Sequence, residues 1–518
     1  MRQPLRPTGD PTGRLSQLNN VSAPVKGWNT IQPVSNADPQ SAYQIDNGYV
    51  TSAGVQMRPG SADWSTGYAS PVETIMSFRA FTTAGGKLFA ATVNGIFDAT
   101  TQGAVGAAVQ ATTNGRFSFA NFSNSAGQWL ICVNGTDDMR QFNGTAWSSV
   151  ATLSVGFNTN TLVKVLVYKN RLYFFPKDLR EFWYLPSGAV TGTAQRFQVG
   201  QDLLLGGSIV AADTWTVDSG SGLDDYIVFI TSEGEMVVYT GDDPSSATAW
   251  SRKGVYRIGR PLGIRSTLKV AGDLFILTEN GVFSVADLMQ SSTVERSNAL
   301  SYNIETQINS VAKSMGVTTF GWSLEYDRTN NLVFVNVPGA RQNVQYVLSL
   351  QSTSWSSFSG WDAECWGSYG GEMYYGTANK VVKAMTGTSD AGGNSITTIW
   401  QPAFNFLGSP STVKHLKGLR ATFLAEGAFN YLVAINVDFS LTALVGAIAS
   451  TAAPISRWDT AIWNQASWSS TLGVKRDWIW VQAKPGFCVS PIFKISSTTV
   501  LPTLVSIDYL FDEGDGVF

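Results

Sequence analysis

Short apolar runs, each followed by a polar turn and a second apolar run, recur along most of the chain. The clearest pair, residues 86–97 and 272–283, aligns without a gap and carries an Asn-Gly turn in both copies. Two short apolar segments joined by such a turn are typical of a β-hairpin. We therefore predict that each unit is a hairpin of two adjacent strands.

Seven such units, some of them weaker copies, predict a repeat architecture. They begin at residues 86, 127, 170, 225, 272, 330 and 371, so successive starts are 41 to 58 residues apart. Propeller blades repeat at about 40–50 residues. The runs are apolar on both faces, as expected for strands that are covered on both sides by neighbouring blades. Stacked β-sandwiches would explain the strands but not their spacing.

The pattern therefore predicts an all-β fold, a β-propeller of about seven blades (six to eight), with two flanking regions. The first 75 residues contain several prolines and little periodicity, which favours an extended N-terminal arm (1–75). The propeller is expected over 76–400, where the repeat stops after Trp400. Strand-like runs at 419–424, 431–439, 477–482 and 504–511 predict a C-terminal β-sandwich over 401–518.

Composition and charge argue against several classes of function. Only 14% of the residues are charged, the net charge is -3, and no Lys/Arg cluster exceeds two residues. A protein that grips nucleic acid through its phosphates needs a basic face, so the charge argues against tight DNA binding. The N-terminus has no apolar core typical of a signal peptide, which predicts synthesis in the cytoplasm. No apolar run approaches the ~20 residues needed to span a bilayer.

The search for catalytic chemistry favours a protein that is not an enzyme and has no cofactor or metal. The chain has one histidine, His415, and three widely spaced cysteines, and it lacks C-x-x-C, H-E-x-x-H and Walker A motifs. An acidic loop at 218–225 could wrap Ca²⁺, although a solvated hairpin loop explains it more simply. Among 38 acidic residues some pair always meets the spacing of a glycosidase, so that alternative stays open.

A line of tryptophans near the C-terminus has two interpretations. Trp458, Trp463 and Trp468 recur at a spacing of five, which matches neither a helix nor a strand. Such side chains could stack on sugar rings, but tryptophan is also enriched at protein interfaces and in cores. Interface or core is the favoured interpretation, with glycan binding as the alternative.

Ordered motifs along most of the chain resemble a family of virion proteins from short-tailed bacteriophages. The opening carries A-P-V-K-G-W-N (23–29), D-P-Q-S-A (38–42), D-N-G-Y (46–49) and V-Q-M-R-P-G (55–60). Lys26 replaces a common Gly, and Gly48-Tyr49 replaces a common Trp-Phe. The likeness is strongest at G-W-D-A-E-C-W (360–366) and continues through G-T-S-D-A-G (387–392) and W-D-T-A-I-W (458–463).

This resemblance, rather than the spacing of the repeat, implies a specific role. The family comprises tail-nozzle (tail tubular protein B-like) propellers, which form a ring, expected to be hexameric, below the portal and adaptor. The ring would extend and gate the DNA channel in the virion tail, and DNA would pass through its lumen without specific binding. Expected partners are copies of the chain itself, the adaptor or portal-proximal tail protein, and tail fibres or spikes.

The residues that carry the resemblance are candidates for structural or interface roles. They are Trp28, Asp46, Asn47, Arg58, Trp361, Asp362, Trp366, Trp458, Trp463 and Trp468. Two alternatives remain at this point: a receptor- or glycan-binding propeller of the virion, and a glycosidase propeller.

Overall fold

A computed structural model describes residues 16–514, apart from 155–156, 219–222, 271, 291–295, 340–343, 441–472 and 481–482. The chain divides into two compact units. One runs continuously over Arg58–Asn394, and the other combines the N-terminal residues up to Met57 with the C-terminal residues from Ser395. Each unit is described separately.

Within its described residues, Arg58–Asn394 contains seven antiparallel sheets of three or more strands, which we call blades 1 to 7 in chain order. Blades 2, 3, 4 and 6 have four strands each. In blade 2 they are Ser118–Asn124, Gly127–Val133, Met139–Phe142 and Trp147–Val150, and in blade 3 they are Leu162–Tyr168, Arg171–Pro176, Glu181–Tyr184 and Gln195–Gln198. In blade 4 they are Ile209–Asp218, Leu223–Thr231, Glu235–Gly241 and Trp250–Arg257, and in blade 6 they are Ser323–Asp327, Leu332–Asn336, Val344–Ser349 and Ser354–Ser359. Blades 1 and 5 have three strands each. In blade 1 they are Thr74–Phe78, Lys87–Thr92 and Gly95–Asp98, and in blade 5 they are Thr267–Val270, Asp273–Thr278 and Gly281–Ser284.

Blade 7 joins the two ends of this unit. Its strands Cys365–Tyr369, Glu372–Gly376 and Lys380–Ala384 come from the end, and Ser61–Thr66 from the beginning pairs antiparallel with Lys380–Ala384. The short strand Gly103–Ala104 adds to Ser61–Thr66 in parallel. Each blade also contacts the next, and blade 7 contacts blade 1. The seven sheets therefore close into a ring, and the all-β propeller prediction is confirmed.

The repeat found in the sequence marks the second strand of each blade. Those strands begin at Lys87, Gly127, Arg171, Leu223, Asp273, Leu332 and Glu372, each within about two residues of a predicted start. In blade 5, Leu274, Ile276 and Leu277 are fully buried. Side chains on both faces of such a strand are removed from water by the adjacent blades, which is why the run is continuously apolar.

Aromatic side chains fill the spaces between blades. Between blades 3 and 4, Phe182 stacks on Phe229 with 5.1 Å between ring centroids, and Tyr173 stacks on Trp250 at 6.4 Å. Between blades 6 and 7, Phe334 stacks on Trp366 at 5.5 Å. Such pairs are worth about 0.5–1.5 kcal/mol beyond the area that they bury.

The helices and the remaining short elements of this unit lie in its connections. The α-helices are Val285–Gln290 and Glu305–Met315, and a two-strand hairpin comprises Thr152–Ser154 and Phe157–Asn158. The 3-10 turns are Thr83–Gly85, Thr159–Thr161, Gly200–Asp202, Arg296–Asn298 and Tyr302–Ile304.

The second unit consists of strands from both ends of the chain around one apolar core. The first group contains Gln17–Ser22, Gly48–Thr51, Gly54–Met57, Lys414–Ala425, Gly473–Lys475, Ile479–Trp480 and Thr503–Glu513; the second contains Gly27–Trp28, Ser41–Asp46, Ile396–Pro402, Tyr431–Val437 and Val489–Ser497. The turn Val34–Asn36 is a 3-10 helix. Phe423 from the first group contacts Tyr431 and Phe493 from the second.

These pairings change the predicted boundaries of 1–75, 76–400 and 401–518. Residues 17–57 are not an extended arm: Gln17–Ser22 pairs antiparallel with Thr503–Glu513, and Ser41–Asp46 pairs with Ile396–Pro402. Residues 61–66 belong to the propeller, which ends before the strand Ile396–Pro402. The strands are short and their partners lie hundreds of residues away, so local periodicity gives little sign of them. A sandwich built by 401–518 stays a prediction.

Candidate functional site

Three of the segments that carry the family resemblance, 55–60, 360–366 and 387–392, meet at one side chain, Arg58. This guanidinium is fully buried and binds the Asp390 carboxylate at two points: Nη1 to Oδ1 at 2.9 Å and Nη2 to Oδ2 at 2.8 Å. Nη2 also donates to the Ser359 carbonyl at 2.9 Å. A planar guanidinium suits such two-point recognition of a carboxylate.

Trp361 completes this cluster from above the guanidinium. The Arg58 Cζ atom lies 4.3 Å from the centroid of the Trp361 ring, and the indole nitrogen donates to Asp390 Oδ1 at 2.9 Å. Ser61 Oγ donates to the same carboxylate oxygen at 3.2 Å. We call Arg58, Ser61, Trp361 and Asp390 the Arg58 clamp. The members of the clamp bind one another, and Ser61 belongs to a strand of blade 7. The clamp therefore stabilises the propeller at this blade.

Trp366 extends the clamp into the core between blades 6 and 7. Its ring packs against Trp361 at 5.9 Å and Tyr375 at 5.2 Å, and its indole nitrogen donates to Asn336 Oδ1 at 3.0 Å. Of the candidate residues in this unit, only Asp362 is exposed. Arg58, Trp361 and Trp366 therefore have structural positions rather than surface positions.

Three candidates lie in the other unit. Trp28 is half-buried in a short strand that pairs in parallel with Ser41–Asp46. Asp46 accepts a hydrogen bond from Gln44 Nε2 at 2.5 Å. Asn47 is buried with a φ of 53°, and its Nδ2 donates to the Thr397 carbonyl at 2.7 Å. Trp458, Trp463 and Trp468 lie outside the described residues, as does most of the turn in the acidic 218–225 loop.

A second charged site, which the sequence analysis missed, lies at the axis of the propeller. A cavity of about 230 Å³ is bordered by residues of six blades, among them Thr74, Ser118, Lys164, Arg265, Thr267, Glu325 and Gly367. We call it the axial cavity. Its only sequence signal is a lone charged residue inside an apolar first strand, such as Lys164 in L-V-K-V-L-V-Y.

Arg265 fixes one side of the axial cavity. Its Nη2 donates to Thr74 Oγ1 at 2.6 Å, to the Glu73 carbonyl at 3.0 Å and to the Phe117 carbonyl at 3.3 Å. These bonds connect the loop before blade 5 to blades 1 and 2. Burial lowers the pKa of this guanidinium, and the nearby Arg116 acts in the same direction.

Two further charged groups of the cavity, Glu325 and Lys164, have pKa values that favour their neutral forms more than usual. Burial raises the pKa of Glu325 to about 7, although the nearby Arg265 opposes the shift. Burial also lowers the pKa of Lys164, and the positive charges of Arg265 and Lys269 add to that effect while Asp213 opposes it. Each shift has the sign expected when a charge is moved from water into a protein interior.

The described part of the chain contains neither a metal-binding cluster nor a membrane-spanning helix. No group of three or more His, Cys, Asp or Glu side chains there is placed to hold a metal ion. No helix in that part of the chain is long and apolar enough to cross a membrane; the longest, Glu305–Met315, has 11 residues.

Comparisons with known proteins concern the fold alone. No family model and no curated protein matches the chain. The extracellular domain of the putative one component system BT4673 from B. thetaiotaomicron is similar at 13% identity and a TM-score of 0.42, covering 63% of this chain and 40% of that one. The β-propeller domain of Cps50 (Swd1) from Myceliophteria thermophila is similar at 12% identity and a TM-score of 0.38, and the match covers 63% of this chain and 100% of that one. The WD40 propeller domain of Doa1 is similar at 11% identity and a TM-score of 0.39, and the match covers 63% of this chain and 96% of that one.

The first of these structures is much longer than the matched region, since the chain spans 40% of its length. At such identities and TM-scores we draw no functional argument from the likeness. The propeller assignment rests on the chain's own ring of sheets and on the strand from residues 61–66 that closes it.

Proposed function

We propose that this chain is a structural subunit of the tail of a short-tailed bacteriophage. In this role, copies of the chain form a ring, expected to be hexameric, below the portal and adaptor. The ring continues the DNA channel, and its packed subunits hold the genome until the tail meets a host.

The observation that carries the proposal is the meeting of three separated motifs at Arg58. The segments 55–60, 360–366 and 387–392 each resemble the tail-nozzle family, and they contribute Arg58, Trp361 and Asp390 to one clamp. Chance likenesses at three positions in a sequence have no reason to form one contact network. Their convergence supports the view that the likeness reflects a shared fold with a shared ring closure.

Charge and chemistry agree with a passive channel. The net charge of -3 and the absence of basic clusters longer than two residues in the sequence suit a lumen in which DNA slides without adhering. The proposed role needs no bond to be made or broken. Its partners are copies of the chain, the adaptor or portal-proximal protein, and tail fibres or spikes.

Particles that lack this protein provide the test. Purified chain is added to such particles, and its sedimentation with them and their recovered infectivity are measured. We expect the wild-type chain to bind and to restore infection, since it would complete the channel.

A matched pair of variants sharpens the result. Arg58→Met, which breaks the clamp, is expected to reduce binding, whereas Arg260→Met, which removes an exposed ion pair to Glu279, is expected to bind normally. A chain that folds but never joins the particles would contradict the proposal. Binding to a glycan array by that same chain would then favour a receptor-binding propeller.

A further inference from the structure

The axial cavity contains more positive than negative side chains. Arg79, Lys164 and Arg265 border it, with Glu325 as the only acidic residue among its bordering residues that the structure describes. Because Glu325 takes up a proton near neutral pH, the balance there becomes more positive still. Arg79 is exposed, but Lys164 and Arg265 are half-buried, and an excess of positive charge that is partly removed from water is costly unless an anion compensates it.

Lys164 is the half-buried positive group of the cavity that lacks a hydrogen-bonding partner in the part of the chain that the structure describes. It is half-buried because it borders the cavity, and its ammonium makes no hydrogen bond or ion pair with any described residue. Asp213, the acid whose charge opposes the pKa shift of Lys164, already has other partners: its carboxylate pairs with Lys269 Nζ at 3.1 Å and accepts from Thr267 Oγ1 at 3.1 Å. An ammonium with three donors and no acceptor therefore points to a missing partner.

Arg265 has capacity for the same partner. Its hydrogen bonds to described residues all leave from Nη2, so Nη1 and Nε have no acceptor within that part of the chain. The guanidinium also lies over the Phe320 ring, 5.1 Å from its centroid, so Arg265 is held in place while Nη1 and Nε can still donate to an oxyanion.

The remaining groups of the cavity suit an acceptor-only ligand. Glu325 in its neutral form can donate its proton to an oxygen, and Ser118 Oγ accepts from the Val165 amide, which leaves its hydroxyl hydrogen to donate. The volume of about 230 Å³ exceeds the ~30 Å³ of one water several-fold, so a small tetrahedral ion with a few waters can be accommodated.

We propose that the axial cavity binds a small tetrahedral oxyanion of the phosphate or sulfate class between Lys164 and Arg265. The ion would connect blades 3 and 5 across the axis and compensate the charge there. This site is independent of the proposed role in a phage tail, because it lies within one propeller.

Calorimetric titration of the full chain with sulfate tests the proposal. Sulfate keeps its charge between pH 6 and 8, and sodium chloride of equal ionic strength serves as the reference solution. We expect saturable 1:1 binding at pH 7, weakened about tenfold or more in Lys164→Met by loss of one charge contact.

Lys177→Met is the matched control. Lys177 is an exposed residue directly after a strand of blade 3, and its removal is expected to leave binding within about twofold of the wild type. Inorganic phosphate and adenosine monophosphate form two further arms. Binding of phosphate alone indicates a free ion, while binding of both indicates a phosphorylated compound.

A second variant keeps the proposal testable if Lys164→Met does not fold. Glu325 borders the axial cavity together with Arg79, Lys164 and Arg265, and it borders a second cavity together with Arg79, Lys269 and Arg328. The ionised carboxylate of Glu325 should repel sulfate, so the affinity of the wild-type chain for sulfate should fall from pH 6 to pH 8. This fall should be smaller in Glu325→Gln. Absence of saturable binding, equal binding by Lys164→Met, or the same pH dependence in Glu325→Gln would overturn the proposal.

Discussion

The guanidinium of Arg58 and the carboxylate of Asp390 form a two-point ion pair between residues 332 positions apart in the chain. Arg58 lies just before the strand of blade 7 that comes from the beginning of the propeller, and Asp390 follows the strands that come from its end. The pair therefore lies where the ring closes. Trp361 covers it and removes it from water.

Breaking this pair is expected to destabilise the propeller strongly. In Arg58→Met the Asp390 carboxylate would stay largely buried without its partner, which costs about 3–5 kcal/mol. Chemical denaturation gives the change in free energy of unfolding. Arg260→Met is the control, since its pair with Glu279 is 52% and 31% exposed and such pairs contribute at most about 1 kcal/mol. Equal effects of the two variants would refute a special role for the clamp.

Gly60, two residues after Arg58, is expected to tolerate no side chain. A Cβ atom there would lie 1.9 Å from the Ser389 carbonyl oxygen, which is backbone that cannot rotate away. We expect Gly60→Ala to lower the melting temperature, with a cost of about 3 kcal/mol. At exposed Gly106 a Cβ would meet nothing within 4 Å, so Gly106→Ala should change stability by less than about 1 kcal/mol. A Gly60→Ala protein as stable as that control would contradict the close approach.

Glu325 should make stability depend on pH. Burial raises its pKa from 4.5 to about 7 in the folded protein, so between these values only the folded protein holds the proton. The stability that Glu325 provides to the folded protein is therefore fully present below pH 4.5 and is lost as the pH rises through 7. Relative to the wild type, Glu325→Gln should gain about 1–3 kcal/mol between pH 5 and pH 8. Denaturation curves at both pH values measure this gain, and parallel behaviour of the two proteins would disprove it.

The three cysteines are expected to be inert in the folded protein. All are free and buried, and burial raises the pKa of Cys365 to about 12 and that of Cys488 to about 11. A thiol reacts through its thiolate, so a thiol reagent at pH 8 should label the native chain slowly. After denaturation, all three should react at once. Rapid labelling of native Cys132 or Cys365 would contradict their burial between blades.

The propeller could be predicted from sequence because its second strands have one dominant physical requirement. Residues such as Leu274 and Ile276 are covered on both faces, so the whole run is apolar and its recurrence is visible along the chain. The outer strands vary more. Gln195–Gln198 is mostly exposed and carries no comparable signal.

The termini and the axial cavity could not be predicted in the same way. Gln17–Ser22 is polar, and its partner strand, Thr503–Glu513, is almost 500 residues away, so nothing in the local pattern shows the pairing. Lys164 and Glu325 are single charges in short strands, and only ring closure brings them to one cavity. The motif residues Arg58 and Trp361 were identified, but their contact could not be inferred without the fold.

The ring itself is the central claim, and single-particle electron microscopy of the purified full chain, alone and bound to particles that lack it, tests it most directly. We expect a sixfold ring with a central opening, aligned with the portal axis when bound. Monomers that never assemble and never occupy that axis would contradict the proposed role in the tail.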